Sequence, residues 1–289
     1  MYNLIKMDLY RLFRSTSTYV MIVLVAFFGC FTVWQVSVDL NLMADAPPVA
    51  EQEDAGDLVD SVIEEKENGV DLEFGIYTDT DARWIHGDID AADLIAMLLG
   101  CKLLLVFVSV FVTLFVMAEQ KNGYVKNIAG QFHNRGVLVL SKLAALAVQI
   151  LLMFAAYTIA ILSAGRLFWG GRFVLHSLSE LAMQLGLQYL LHLAFACLIL
   201  ILCTLAKSSA LSITVGILLS CGVGALFYEA ADRLIAHGFR LEKYVIEGNI
   251  LAVGTNAAMY AKRALACGAV AVLVSALLTF LITQKRDIR

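Results

Sequence analysis

Charge is scarce in this chain. Asp, Glu, Lys and Arg make up 16% of its 289 residues, against 60% hydrophobic residues. A soluble domain carries about 25% charge, so a large water-facing surface is excluded for most of the length. Catalytic signatures are scarce too. The chain has no G-x-x-x-x-G-K-[ST] phosphate loop, no G-x-S-x-G elbow, no H-E-x-x-H pair and no cluster of acids within its apolar runs. It is therefore not expected to be an enzyme by itself, to hydrolyse ATP unaided, or to bind a metal or cofactor. Six cysteines are present, but none stands in a C-x-x-C pair, and all lie in or at the edge of apolar runs. They read as small hydrophobes rather than as a disulfide framework or metal site.

What the chain does have is six apolar runs, at residues 19–38, 94–118, 143–163, 181–205, 209–228 and 264–283. A helix needs about 20 residues to cross the hydrocarbon core. Lipid offers no partner to exposed backbone polar groups, so each run is expected to be a helix. The fold class is an all-α polytopic membrane protein with six transmembrane helices, folded as a single domain over residues 1–289. The first run is about twice the length of a signal-peptide core, and Asp8 interrupts the basic region before it, so it reads as a retained span.

Basic residues orient the chain. With six spans, both termini share one side. The segments on that side hold eleven basic residues, Lys6, Arg11, Arg14, Lys121, Lys126, Arg135, Lys142, Lys207, Lys285, Arg286 and Arg289, against the acids Asp8, Glu119 and Asp287. The positive-inside rule places both termini in the cytoplasm. On the other side, residues 39–93 hold seventeen acids and two bases, Lys66 and Arg83, a local charge of −15. Around Pro47-Pro48 this segment has few large apolar residues. Beyond it, Leu58, Val59, Val62 and Ile63 form a helical stripe. Val70, Leu72, Phe74 and Ile76 then alternate as in a strand. A small acidic extracellular cap is expected, suited to gathering cationic molecules. The pairs Asp79/Asp81 and Asp88/Asp90 do not continue into a calcium loop and read as solvated surface.

Three further segments have expected positions. In residues 1–18, Leu4, Ile5, Leu9, Leu12 and Phe13 are spaced for one helical face, flanked by Lys6, Arg11 and Arg14. That pattern predicts an amphipathic helix in the inner interface. Residues 229–263 interleave charges with Leu234, Ile235, Phe239, Leu241, Tyr244, Ile246 and Ile250. They are expected to form half-embedded extracellular helices whose backbone groups need protein or water partners. Lys102 is expected to snorkel from the outer end of the second span. His192 is the one histidine within a run. It is a candidate for the translocation path, with a structural hydrogen bond as the alternative. Gly216, Ser220 and Gly224 fall four apart in the fifth run, a small-residue face for helix packing or a dimer seam.

The loop within residues 119–142 carries the most specific pattern. Asn122-Gly123 and Gly130 favour turns around a short helix. Tyr124, Val125, Ile128 and Phe132 make an apolar knob among Lys121, Lys126 and Arg135. Glu119, Gly123, Lys126-Asn127, Arg135 and Ser141-Lys142, in this order within six spans, together with the basic amphipathic start and the tail Lys285-Arg286-Asp287-Ile288, resemble the permease subunits of ABC-2 type ATP-binding-cassette exporters. The resemblance runs the whole length, although Tyr124 stands where the family often has Thr.

The resemblance implies that residues 124–132 are a coupling helix seated in a groove of a separate ATPase subunit, with Glu119 fixing the base of the second span nearby. It implies two ATPase copies, which bind ATP and Mg, and a second permease copy or paralogue. The location would be the bacterial plasma membrane, within the lipid bilayer and with no nucleic-acid partner. The cargo would be a peptide, an antimicrobial or a hydrophobic compound. Two other readings share the composition: a non-ABC immunity or sensor protein of the membrane without transport activity, and a membrane enzyme.

Overall fold

The computed structural model describes residues 2–45, 80–121, 136–235 and 240–285. Helix α1 (Tyr2–Arg14) turns at Ser15 into α2 (Thr16–Asp45). A 3-10 turn at Ala82–Ile85 leads through β1 (Ile89–Asp90) into α3 (Ala91–Gly100) and α4 (Leu103–Lys121). Helix α5 (Val137–Trp169) ends at a second 3-10 turn and β2 (Phe173–Val174). Then follow α6 (Leu178–Ala206), α7 (Ser209–Ser220), α8 (Val223–Ile235), a turn at Leu241–Tyr244, α9 (Ile246–Thr255) and α10 (Ala257–Lys285).

Four helical stretches, α2, Val137–Arg172, α6 and α10, are long and apolar enough to cross a bilayer. Two bent pairs, α3 with α4 at 55° and α7 with α8 at 76°, bring the number to as many as six if each pair counts as one span. The protein is a largely helical polytopic membrane protein.

The bent pairs differ from the continuous helices expected over 94–118 and 209–228. Neither break holds a proline. Gly222 has φ +83 at one, where glycine meets no Cβ penalty. Lys102 has φ +64 at the other, an uncommon conformation for a residue with a Cβ, so surrounding packing must impose it. That packing is visible. Helix α9 lies across α3 so closely that a Cβ on Gly254 would meet the Gly100 Cα at 2.9 Å. The two glycines let the backbones touch, and a straight span through residue 102 gives way to that contact.

Polar side chains gather inside the bundle. Helix α6 lies at the centre, against α4, α5, α9 and α10. Its residues Gln184, Gln188 and His192 are buried. Gln149, Ser109, Thr113, Ser212, Ser275 and Thr279 are buried on its neighbours. Outward lie Val23, Phe27, Phe31 and Trp34 of α2, and Val270, Leu273, Val274 and Leu277 of α10. Lipid tails are as apolar as leucine, so apolar side chains gain nothing from hiding, and polar ones are drawn inward to each other.

Two ends of the bundle can be distinguished. At one end α1 packs along the start of α5. At the other, β1 pairs in parallel with β2, Ile89 opposite Phe173. There the Arg172 guanidinium donates to the carbonyls of Trp84 at 2.6 Å, Ile85 at 3.0 Å and Gly87 at 2.8 Å, closing the turn over α3. Asp90 caps α3 through the Ala92 N–H at 2.8 Å, and Ser177 caps α6 through the Glu180 N–H at 3.2 Å. The expected acidic cap falls mostly on residues 46–79, outside the described residues.

Candidate functional site

The site begins with an apparent misfit. Helix α1 buries Leu4, Asp8 and Leu12, one turn apart, while Phe13 is exposed and Ile5 and Leu9 are half-buried. The buried face therefore contains a carboxylate that the apolar pattern of Leu4, Ile5, Leu9, Leu12 and Phe13 passes over. Asp8 is in contact because Ser141, on the first turns of α5, donates its hydroxyl to Asp8 Oδ2 at 2.6 Å.

The neighbouring residues complete a charge cluster. Glu119, near the end of α4, is fully buried. Its Oε1 accepts from Arg11 Nη1 of α1 at 2.7 Å, and its Oε2 forms an ion pair with the Lys142 ammonium of α5. Arg11 also lies 3.8 Å from Asp8 Oδ1 and stacks over the Phe115 ring at 5.7 Å. Two acids and two bases from three helices thus neutralise one another around the ends of α4 and α5. Burial pushes the Asp8 carboxyl above its ordinary value. The Ser141 hydroxyl works against this, the Glu119 charge adds to it, and Lys142 and Arg11 oppose it.

Glu119 and Gly136 bracket the loop whose residues drew attention in the sequence. Gly123, Tyr124, Val125, Lys126, Asn127, Ile128, Phe132 and Arg135 lie outside the described residues. Of the proposed coupling set, the structure describes Glu119 and its ties to α1 and α5. Arg11, Asp8, Ser141 and Lys142 all preceded or followed that loop in the sequence. Only their meeting in space was hidden, since they lie more than a hundred positions apart across α1 and α5.

His192 lies deep in α6. Its Nδ1 is 2.8 Å from the Gln188 carbonyl, and its ring meets the edge of Phe154 with centroids 4.9 Å apart. Among the described residues its Nε2 has no hydrogen-bond partner, nor have Gln188 Oε1 and both side-chain polar atoms of Gln149. Gln188 Nε2 donates to the Ile250 carbonyl of α9 at 2.9 Å. Gln184, Gln188 and His192 recur every fourth residue, one face of a helix. That spacing was readable in the sequence, although only His192 was singled out from it.

The small-residue set divides at the α7–α8 break. A Cβ on Gly216 would lie 2.7 Å from Ser109 Cβ and 3.2 Å from Ile199 Cδ1, so this glycine packs inside the chain on α4 and α6. The Ser220 hydroxyl donates to the Gly216 carbonyl at 2.8 Å. Gly224 falls on α8, beneath Tyr228 and Glu247.

Lys102 does not snorkel. It is buried, 9% exposed, at the break between α3 and α4. Burial pushes the Glu247 carboxyl up to about 7, and the Lys102 charge works against that rise. Around α9, Asn249 is fully buried and donates to the carbonyls of Val245 at 2.7 Å and Lys243 at 3.0 Å. Its own Oδ1 accepts from Arg263 Nε at 2.9 Å. The start of α9, which has no side-chain cap of the usual kind, is held by this asparagine.

Among the described residues, no group of His, Cys, Asp and Glu is placed to hold a metal ion. No protein-family model matches the chain, and a search of curated proteins finds no significant match.

Proposed function

We propose that this chain is the permease subunit of an ABC-2 type exporter. It would have six spans, cytoplasmic termini, an extracellular acidic cap and half-embedded helices before the last span. Separate ATPase subunits would drive it, and a second permease copy would complete the path. The observation that carries this reading is the Arg11–Glu119–Lys142 cluster. It gathers the residues that the family resemblance pointed to, and it ties the interfacial helix to both helices that bracket the coupling loop. A push on residues 124–132 from a closing ATPase would therefore move α1, α4 and α5 as one block. A buried carboxylate held by bases from two other helices transmits displacement better than a loose apolar contact, because breaking it exposes unpaired buried charge. The buried Gln184, Gln188, His192 and Gln149 would form polar walls along the path for a peptide, antimicrobial or hydrophobic compound.

The test is co-purification with an ATPase that carries a phosphate loop. Val125→Asp with Ile128→Asp places carboxylates on the docking knob, where burial without a partner is costly. We expect the permease to reach the membrane and to lose its ATPase subunits and transport. A complex that keeps both would remove the coupling assignment. Topology is tested separately. Single cysteines at Asp57 and Ala236, in a cysteine-free chain, should react with an impermeant thiol reagent in intact cells, and one at Asn134 should not. Labelling of position 134 from outside would reverse the orientation.

A further inference from the structure

Helix α1 has a second face besides the one that packs on the protein. Leu4, Asp8 and Leu12 turn inward. Tyr2, Lys6, Tyr10, Phe13 and Arg14 are exposed. With 3.6 residues per turn, Leu9, Tyr2 and Phe13 fall on one strip of the outer side, and Lys6, Tyr10 and Arg14 on the strip beside it. Asp8 is the acid of this helix and it is buried, so the exposed side carries positive charge alone.

The position of α1 gives that face its surroundings. Leu4 packs with Leu138, Ser141 donates to Asp8 at 2.6 Å, and Arg11 pairs with Glu119 near the end of α4. These contacts set α1 across the first turns of α5. Ser15 alone separates α1 from α2, which is long and apolar enough to cross a bilayer. The outer side of α1 therefore stands level with the ends of the long helices, where hydrocarbon gives way to headgroups and tyrosine is favoured. The Arg14 guanidinium is already held there. Its Nη1 donates to the Tyr10 hydroxyl at 3.0 Å, and it stands 5.9 Å from the centre of that ring. This bond takes one of its five N–H donors, and a guanidinium fixed in advance loses less freedom on meeting a phosphate. Past the turn, the Tyr19 hydroxyl donates to the Phe13 carbonyl at 2.8 Å and steadies the backbone under the exposed ring.

We infer that the outer side of α1 is a docking surface for anionic phospholipid in the leaflet at that end. Lys6 and Arg14 meet the phosphates, and Tyr2, Leu9 and Phe13 lie among the acyl chains. A zwitterionic headgroup brings as much positive charge as negative, whereas an anionic one complements a face that has no acid. A soluble anion would leave the aromatic strip in water. An acidic protein surface would match the charge, but the level of the face beside the hydrocarbon favours lipid. None of this requires an ATPase, only that the long helices lie in a bilayer.

The test is native mass spectrometry of the full chain in detergent, without any ATPase, with phosphatidylglycerol and phosphatidylcholine of identical acyl chains. Phosphatidylglycerol should be retained above phosphatidylcholine by about fivefold for each of the two cations. Lys6→Gln and Arg14→Gln should each remove one such factor, and the double variant should bring the lipids level. Lys6→Arg and Arg14→Lys should keep the preference. Lys243→Gln with Lys262→Gln makes the same change in charge at exposed positions flanking α9 and should leave it unaltered. Melting curves taken alongside show that each variant is folded. If the double variant melts early, Lys6→Gln decides. Equal retention of the two lipids by the parent, an unchanged preference in the double variant, or an equal loss in the Lys243 and Lys262 variant would overturn the surface. Displacement by glycerophosphoglycerol, the headgroup without acyl chains, would overturn lipid as the occupant. An ATPase that co-purifies with the parent and is lost from the double variant at unchanged lipid preference would assign the face to a protein instead.

Discussion

At the α1 end of the bundle, Asp8, Arg11, Glu119 and Lys142 close on one another with a serine hydroxyl. At the opposite end, Lys102 and Glu247 are nearly as deeply buried and remain apart. The same residue types thus stand in two different states. Where every charge has a partner, the cluster acts as a bolt between helices, and its loss should be felt as instability. Where no hydrogen bond or ion pair joins the charges among the described residues, the fold is held by other contacts, such as Asn249 and the Gly100–Gly254 crossing. Removing such a charge should cost the fold little.

The contrast can be broken most directly at Glu119. Glu119→Ala leaves Arg11 and Lys142 facing each other without their shared carboxylate. Removal of one partner from a buried pair costs about 3–5 kcal/mol. We expect a large fall in melting temperature and earlier proteolysis within α1, read by limited digestion of the purified protein. If stability is kept, the cluster is ornamental and the block of α1, α4 and α5 does not exist.

Gly216→Leu should come next in size. Its side chain would press on Ser109 and Ile199 within the same chain. Overpacking of this kind costs about 1–3 kcal/mol. The melting temperature of the protomer should fall while any dimer association constant is unchanged. Weaker association at constant protomer stability would move Gly216 to a seam between copies.

Glu247→Gln sharpens the comparison from the other side. Glu247 has no hydrogen bond among the described residues and burial pushes its carboxyl up to about 7, so a neutral amide there should change stability by less than about 0.5 kcal/mol or raise it. A drop as large as that of Glu119→Ala would mean that Glu247 is a structural partner and that the two ends are alike.

The smallest effect is expected at Asp8. Its carboxyl is raised from the ordinary 3.8 chiefly by burial. The folded protein therefore holds this proton more tightly than the unfolded chain does. The contribution of Asp8 is fullest below the ordinary value and declines as pH rises through the raised folded one. Asp8→Asn can still accept from Ser141 and has no such titration. Its melting temperature should vary less between acid and neutral pH than that of the parent. Parallel profiles would show that Asp8 keeps one protonation state throughout.

Much of this was legible from residue order alone. Length and apolarity of the six runs decide that the chain belongs in a membrane, because hydrocarbon tolerates only internally bonded backbone. His192 stood out as the one histidine within a run, and Gln184 and Gln188 share its helical face by spacing. The run 209–228 implied a continuous helix, and the break at Gly222 belongs to the structure. Lys102 gave no mark of a break either. Its position beside an apolar run suited snorkelling, and the buried left-handed turn depends on α9 lying over α3. Asp8 depends on tertiary structure in the same way: an apolar periodicity says nothing of a buried carboxylate, and Ser141, from another helix, makes the interior acceptable to it.

Composition and periodicity, then, determined the class of molecule and the helical character of its apolar runs, since those depend on interactions within a few turns and on the solvent. Tertiary structure alone decided which helices break and which charges meet. Both depend on contacts between residues distant in the chain: Gly100 against Gly254, Arg11 and Lys142 on Glu119, Ser141 on Asp8. No local pattern encodes those distances, because each partner satisfies its own helix equally well whether or not the other is there.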